Sequence, residues 1–176
     1  QRQMCIRDRQ YTGGTTGVSK GVKLTQKSLL ANVAQCLDVI KINNDFLHCS
    51  TTISPLPLYH IYAYALCFGI LPAIRGHSVL IPNPRDTVSF IKAIKKVKFD
   101  IFCGLNSLFV SLLESADFKK LDFSNLKLTL SGGMALMPIV AEEWSKLTGC
   151  EISEGYGMTE ALSLIHISEP TRHDQI

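Results

Sequence analysis

Strong charge of either sign is missing from this chain. A net charge of +3 over 176 residues is too small and too dispersed to mark a nucleic-acid partner. The densest basic cluster, Lys92, Lys95, Lys96 and Lys98, reads as the wet side of one helix. No apolar run reaches membrane-spanning length, and the first residues carry no secretory h-region. The six cysteines show no C-x-x-C spacing and lie scattered among apolar neighbours. That argues against a disulfide framework or a zinc site and suits buried thiols in a reducing cytosol. Internal repeats and low-complexity tracts are absent, and no domain boundary interrupts residues 10–161. What is present is the composition of a folded globular protein, 46% hydrophobic and 19% charged, long enough for one sizeable core.

Against that background one stretch stands out: Tyr11-Thr12-Gly13-Gly14-Thr15-Thr16-Gly17-Val18-Ser19-Lys20-Gly21. Four glycines, three threonines, a serine and a lysine share eleven residues. Glycines let backbone amides approach an oxyanion with no Cβ in the way, hydroxyls donate to phosphate oxygens, and the lysine is a point charge. Together these make a loop suited to wrapping a polyphosphate. The spacing departs from G-x-x-x-x-G-K-[ST], because Val18 and Ser19 separate Gly17 from Lys20, so this is a different phosphate loop from that of P-loop kinases and NTPases. A flexible Gly/Thr linker would have no need of a single lysine followed at once by glycine.

The two ends carry an unexpected relation. Met4-Cys5-Ile6-Arg7-Asp8-Arg9 can be encoded by ATG TGT ATA AGA GAC AG plus one base. The reverse complement of that string reads Leu-Ser-Leu-Ile-His-Ile once a base is added, which is residues 162–167. Selection on a protein does not produce an inverted repeat read in two frames. Residues 1–9 and 162–176 are therefore expected to be translated sequencing adapter, leaving residues 10–161 as the genuine fragment and removing Cys5, His166 and His173 as candidate ligands.

Within that fragment, Thr25 can cap a helix over residues 26–39, with Leu29, Leu30, Val33, Cys36 and Leu37 on one face. Residues 49–53 form a strand candidate ending in the rigid turn Ser54-Pro55-Leu56-Pro57-Leu58-Tyr59-His60. Residues 62–71 read as a buried helix and 78–81 as a short strand. Asp86 or Thr87 can cap a helix over 88–97, 101–103 reads as a strand, and Asn106 or Ser107 opens a helix over 108–114. A strand over 126–130 runs into Ser131-Gly132-Gly133, Pro138 begins a helix reaching Leu147 with Gly149 as its stop, and residues 150–153 form a last strand before Glu154-Gly155-Tyr156-Gly157-Met158-Thr159-Glu160. Strands alternating with helices predict an α/β layered fold with a largely parallel sheet flanked by helices. Ligands of such sheets bind at the carboxyl ends of strands, where the four glycine- or proline-marked turns would fall.

In this order the motifs resemble the adenylate-forming superfamily of acyl-CoA synthetases, luciferases and peptide-synthetase adenylation domains. Tyr-Thr-Gly-Gly-Thr-Thr-Gly-x-x-Lys-Gly and Gly-Tyr-Gly-Met-Thr-Glu are its two most recognisable signatures, and the resemblance spans residues 10–161. It looks closest to bacterial long-chain fatty-acid–CoA ligases through Leu56-Pro57-Leu58-Tyr59-His60-Ile61, Asn83-Pro84-Arg85-Asp86 and Lys146-Leu147-Thr148-Gly149. The resemblance implies part of a large N-terminal domain and a two-step reaction using ATP, Mg²⁺ and coenzyme A: a fatty carboxylate is adenylated, then the CoA thiol displaces AMP. By similarity, Thr12, Gly13, Gly14, Thr15, Thr16, Gly17 and Lys20 would belong to the loop that holds the β- and γ-phosphates. Tyr156, between Gly155 and Gly157, would stack on adenine, Thr159 would meet the α-phosphate, and Glu160 would bind Mg²⁺. His60 would lie beside the reacting carboxylate, and Tyr59, Tyr64, Gly132 and Gly133 would line the acyl pocket, with Tyr64 at a position that can carry a gating aromatic.

One feature supports an uncharged acyl tail independently of the motifs. Amino-acid-activating relatives hold the ammonium group with an aspartate near the His60 region, whereas residues 57–73 contain no acidic residue. An unpaired ammonium against so apolar a wall would be costly. The departures from the pattern are Ser19, where the family often has proline, and Met134 after the glycine pair, where a smaller residue is common. The sequence also ends before the family's ribose-binding aspartate, hinge and C-terminal lysine domain, so the piece is expected to catalyse nothing alone. The alternatives left open are an acyl-AMP ligase loading a carrier protein and a non-catalytic relative. The parent is expected in the cytoplasm, with peripheral attachment at the inner face of the cell membrane and a homodimer both open. The contiguous genomic frame should diverge from this chain before residue 10 and after Ala161, running on to the missing aspartate and lysine. Genomic reads that continue through residues 162–176 would overturn the adapter assignment.

Overall fold

The computed structural model describes residues 6–12, 20–42, 48–161 and 166–168. Strands β1 (Ile6–Thr12) and β2 (Lys20–Thr25) form an antiparallel hairpin, separate from the main sheet, with Thr12 opposite Lys20 and Tyr11 opposite Gly21. The glycine-threonine loop from 13 to 19 lies outside the described residues, but the hairpin fixes the two ends it spans. Sequence reasoning expected that loop at the end of a strand of the parallel sheet, and the antiparallel pairing corrects this. The Tyr11 ring covers Gly21, where a Cβ would come within 3.3 Å of the ring edge. Helix α1 (Gln26–Ile42) follows, opened by Thr25, whose Oγ1 accepts from Ser28 N at 3.1 Å.

The main sheet contains β3 (Thr51–Ser54), β4 (His77–Leu80), β5 (Ile101–Gly104), β6 (Leu128–Gly132) and β7 (Ile152–Tyr156), all parallel. A short β8 (His166–Ser168) is antiparallel to β7. Their order is β4-β3-β5-β6-β7-β8, so the chain reverses direction across the sheet after β4. The β3–β4 crossover is α2 (Ile61–Ala65), a π turn (Leu66–Ile70) and α3 (Leu71–Ala73) in unbroken succession. The later crossovers are α4 (Thr87–Ile94), α5 (Asn106–Glu114) and α6 (Pro138–Thr148).

That reversal places helices on both faces of the sheet, as a parallel sheet requires. On β5, Phe102 joins the core beneath α4, α5 and α6, while Ile101 and Cys103 join the core beneath α1 and α2–α3. The first core is aromatic: Trp144, Phe90, Phe102, Phe109 and Phe118 are all fully buried. Trp144 meets Phe109 edge-on at 4.8 Å between ring centroids and Phe102 at 5.1 Å. Its indole N–H donates to Thr129 Oγ1 on β6 at 3.1 Å, satisfying the one polar atom of that side chain. Among the described residues no helix is long and apolar enough to cross a membrane.

Several local expectations shift. Strand β7 runs on to Tyr156 instead of ending at residue 153, and α5 starts at Asn106 without a side-chain cap. Leu30 is exposed, and the buried face of α1 runs through Asn32, Cys36 and Ile40. Cys49 is exposed, at a positive φ of 63°, against the expectation of buried thiols. Cys36, Cys103 and Cys150 are buried, and burial pushes their thiols up, Cys36 to about 11. Lys92 stands on α4, while Lys95, Lys96 and Lys98 follow its end, all four exposed.

Asp86 caps α4 by accepting from Ser89 N at 3.1 Å, and the Ser89 hydroxyl and amide hold its carboxyl below the usual range. Gly149 ends α6 at φ 72°, with nothing near the position a Cβ would take. Gly149→Ala should therefore cost about 1–2 kcal/mol through backbone strain alone. Trp144→Ala should cost about 3–5 kcal/mol by leaving a cavity. Urea unfolding of both variants checks the pair, and a larger loss for the glycine variant would contradict this packing.

Candidate functional site

The turns leaving β3, β6 and β7 converge at the carboxyl end of the sheet. His60, Ile61 and Tyr62 come from the first, Gly132 and Gly133 from the second, and Gly155, Gly157, Met158 and Thr159 from the third. They enclose a cleft of about 130 Å³. That volume takes a carboxylate- or phosphate-sized group, so a larger ligand must extend out of it.

Each wall has a local cause. Pro55 and Pro57 keep the segment after β3 out of helix until His60, which caps α2: its Nδ1 accepts from Tyr62 N at 3.3 Å. Tyr62 is buried, its hydroxyl donates to the Leu130 carbonyl at 3.4 Å, and burial pushes the phenol well up. Its ring lies against Gly132, where a Cβ would come within 3.1 Å of the ring and 3.3 Å of the Gly155 carbonyl. Gly132 and Gly155 are ladder partners, so two residues without side chains sit abreast at the cleft floor. Gly133 serves differently: it has open space around it but a φ of 83°, which turns the chain from β6 toward α6.

Of the candidates read from the sequence, His60, Gly132, Gly133, Gly155, Gly157 and Thr159 share this cleft. Tyr156 is exposed at its rim, with its hydroxyl 3.8 Å from the Met158 sulfur. Glu160 is exposed one residue beyond Thr159 in a 3₁₀ turn (Thr159–Ala161) and does not line the cleft. Tyr59, 81% exposed, lines a neighbouring groove formed by residues 54–59 and 80–85, and its carbonyl accepts from Gln10 Nε2 of β1. Tyr64 also lies outside the cleft, half-buried and packed on Phe68 at 5.2 Å between centroids. Lys20 opens β2, while Gly13, Gly14, Thr15, Thr16 and Gly17 and the Thr12 side chain lie outside the described residues.

The described residues contain no group of three or more His, Cys, Asp or Glu side chains able to cage a metal. An exposed carboxylate beside a threonine fits Mg²⁺ held mainly by the phosphates of a substrate, which keeps several of its own waters and takes few protein ligands. Glu160 is the residue here that would hold such an ion.

Two residues missed by the sequence reading shape the wall between β6 and α6. Glu154 Oε2 accepts from Leu136 N at 3.3 Å, and Asn106 Oδ1 accepts from Met137 N at 3.0 Å. The loop after Gly133 is thus pinned from β7 on one side and from α5 on the other. The only sequence signal was a polar residue just beyond each strand or helix boundary, and Asn106 was read as a helix opener instead. Asn106→Ala and Glu154→Ala should speed amide exchange at Leu136 and Met137 about tenfold, with a stability loss of about 1 kcal/mol each. Unchanged protection in both variants would remove the two pins from the account.

The AMP-binding enzyme family model matches residues 9–176. The long-chain-fatty-acid–CoA ligase of Haemophilus influenzae is 45% identical over 157 residues, covering 89% of this chain and 28% of its own length. That of Escherichia coli O6:H1 is 42% identical over 161 residues, covering 90% and 28%. The chain thus spans little more than a quarter of these curated relatives. Among solved structures, ATP-bound MatB from Rhodopseudomonas palustris superposes with a TM-score of 0.72 at 27% identity, over 88% of this chain and 29% of that one. The anthranilate CoA ligase AuaEII with anthranoyl-AMP gives 0.77 at 24% identity, over 92% and 31%, a likeness of fold. With a parallel sheet that gathers three separated motifs at its carboxyl end and a family match over nearly its whole length, this chain belongs to the AMP-binding enzyme family.

Proposed function

We propose that the parent protein activates a long-chain fatty acid, forming an acyl-adenylate from ATP and passing the acyl group to coenzyme A. The observation that carries this reading is the 42–45% identity to bacterial long-chain-fatty-acid–CoA ligases across a segment whose separated motifs converge on one cleft. Residues 10–161 are the part of the AMP-binding domain on which it rests.

In the first step a carboxylate oxygen bonds to the α-phosphorus of ATP and pyrophosphate leaves with the electrons of the broken P–O bond. In the second the CoA sulfur bonds to the acyl carbon and AMP leaves. Both reactants of the first step are anions, so bringing them together and offsetting their charge should dominate the barrier. Thr12, Thr15, Thr16 and Lys20 would hold the terminal phosphates, with the hairpin drawing the two ends of their loop together. Tyr156, exposed at the cleft rim, would offer a ring face to adenine. Thr159 and His60, which line the cleft from separate turns, would take the α-phosphate and the carboxylate, which are the groups small enough for the cleft. Mg²⁺ bound through Glu160 would supply neutralising charge on the phosphate oxygens. Gly132 and Gly133 would border the acyl chain, and Tyr59 and Tyr64, outside the cleft, would meet only its distal part. No acidic residue lies between Pro57 and Ala73 to hold an ammonium, which favours an uncharged tail.

The test uses the full-length enzyme containing this segment, supplied with ATP, Mg²⁺ and a long-chain fatty acid, with pyrophosphate and AMP measured. Glu160→Gln should lower pyrophosphate release about a hundredfold, the scale of losing one preorganised electrostatic contact, while leaving the fold intact. Release of ADP would refute the adenylation reading, and undiminished pyrophosphate release in the variant would remove Glu160 from the metal site. Acyl transfer to a carrier protein but not to CoA would reassign the acceptor.

A further inference from the structure

We infer that His60 meets its ligand as the neutral Nε2–H tautomer, so that it acts as a hydrogen-bond donor and not as a base. The identity of the ligand group rests on the proposed function; the tautomer does not.

The argument starts from the backbone. His60 has extended dihedrals (φ −85°, ψ 137°) and stands immediately before α2, whose first amides have no carbonyl within the helix to receive them. Its Nδ1 takes up that task, accepting from the Tyr62 amide at 3.3 Å. A backbone N–H can only donate, so Nδ1 must present its lone pair, and a neutral imidazole that accepts at one nitrogen carries its proton on the other.

Tyr62 makes this arrangement rigid. Its side chain is buried beneath the sheet, its hydroxyl is on the Leu130 carbonyl, and its ring is wedged against Gly132. The amide that reads Nδ1 is therefore anchored to β6, whose Gly132 also lines the cleft. Nε2 is the remaining polar atom of the ring, and it has no protein partner among the described residues, while His60 lines the cleft. The cleft's other side-chain hydrogen-bonding group beyond the buried Tyr62 is the Thr159 hydroxyl, and the rest is glycine backbone and apolar side chain. A donor fixed in this setting suits an anionic oxygen, and it can stay bonded as charge moves from carboxylate to acyl phosphate without any proton transfer. Tyr62 is accordingly a positioning residue for His60.

Two substitutions separate capping from donation. Asparagine places an amide oxygen near the position of Nδ1 and is a favourable cap, but it does not reach the position of Nε2. Glutamine places an amide N–H near Nε2 and gives up the cap. In the full-length enzyme, His60→Gln should retain adenylate formation within about tenfold, whereas His60→Asn, the better folded of the two, should lose about a hundredfold. A pure capping role gives the opposite order, and a base role gives equal, severe losses in both; either result overturns the inference. Nitrogen NMR of the ¹⁵N-histidine-labelled protein at mildly alkaline pH supplies a readout independent of turnover, with the His60 signals identified by their loss in His60→Asn. A pyridine-type Nδ1 and a pyrrole-type Nε2 are expected, and the reverse assignment sinks the inference. If the enzyme activates no fatty acid while the Nε2–H tautomer is present, the proposed function fails and the tautomer stands.

Discussion

Everything at the carboxyl end of the sheet depends on how α6 is held to it, and that hold is centred on Trp144. The indole is fully buried among Phe102, Phe109 and Phe118, and its N–H is satisfied by Thr129 near the start of β6. A buried indole N–H without a partner would cost on the order of 1–3 kcal/mol, so helix and strand have one favourable register rather than several. At the far end of the same helix, Thr148 Oγ1 donates to the Trp144 carbonyl at 2.8 Å and accepts from Cys150 N, which delivers the chain into β7. Trp144 thus ties α6 to β6, and Thr148 ties the end of α6 to the start of β7, two strands whose carboxyl ends border the cleft.

The cleft is made of backbone more than of side chains. Gly132 leaves room for the Tyr62 ring, Gly155 lies beside it in the ladder, and Gly133 turns the chain away. Such a floor, without side chains, can approach a phosphate or carboxylate closely. The wall from Gly133 to Met137 has no regular structure of its own, so its shape comes from Glu154 and Asn106 on neighbouring elements. Precision at this site therefore comes from rigid strands, and the loop inherits it through two hydrogen bonds.

The hairpin brings together the two ends of the glycine-threonine stretch. Its strands sit outside the main sheet, and they link to the cleft side of the molecule through the Gln10–Tyr59 carbonyl contact and through α1, which packs on the core containing Tyr62. A glycine-rich loop on a hairpin has two fixed ends, whereas a loop running from strand into helix is fixed also by the helix axis.

The sequence by itself determined the fold class and the chain's local punctuation. Thr25, Asp86, Pro138 and Gly149 act where their chemistry predicted, because caps and stops depend only on residues a turn away. Six of the candidate residues named from local strings, His60, Gly132, Gly133, Gly155, Gly157 and Thr159, are gathered by the fold at one cleft. The hairpin was not legible in the sequence: strand β1 is mostly polar, and its pairing with β2 is not a local property. Nor was the burial pattern of Leu30 or Cys49, which depends on where neighbouring elements end. Only the tertiary structure decided that His60 and Thr159 face one cleft while Tyr59 and Tyr64 do not, because that sorting follows from the strand order and from which way each turn leaves its strand. The same is true of the Nδ1 contact of His60: histidine announces two nitrogens, and the backbone of α2 decides which of them is left to act.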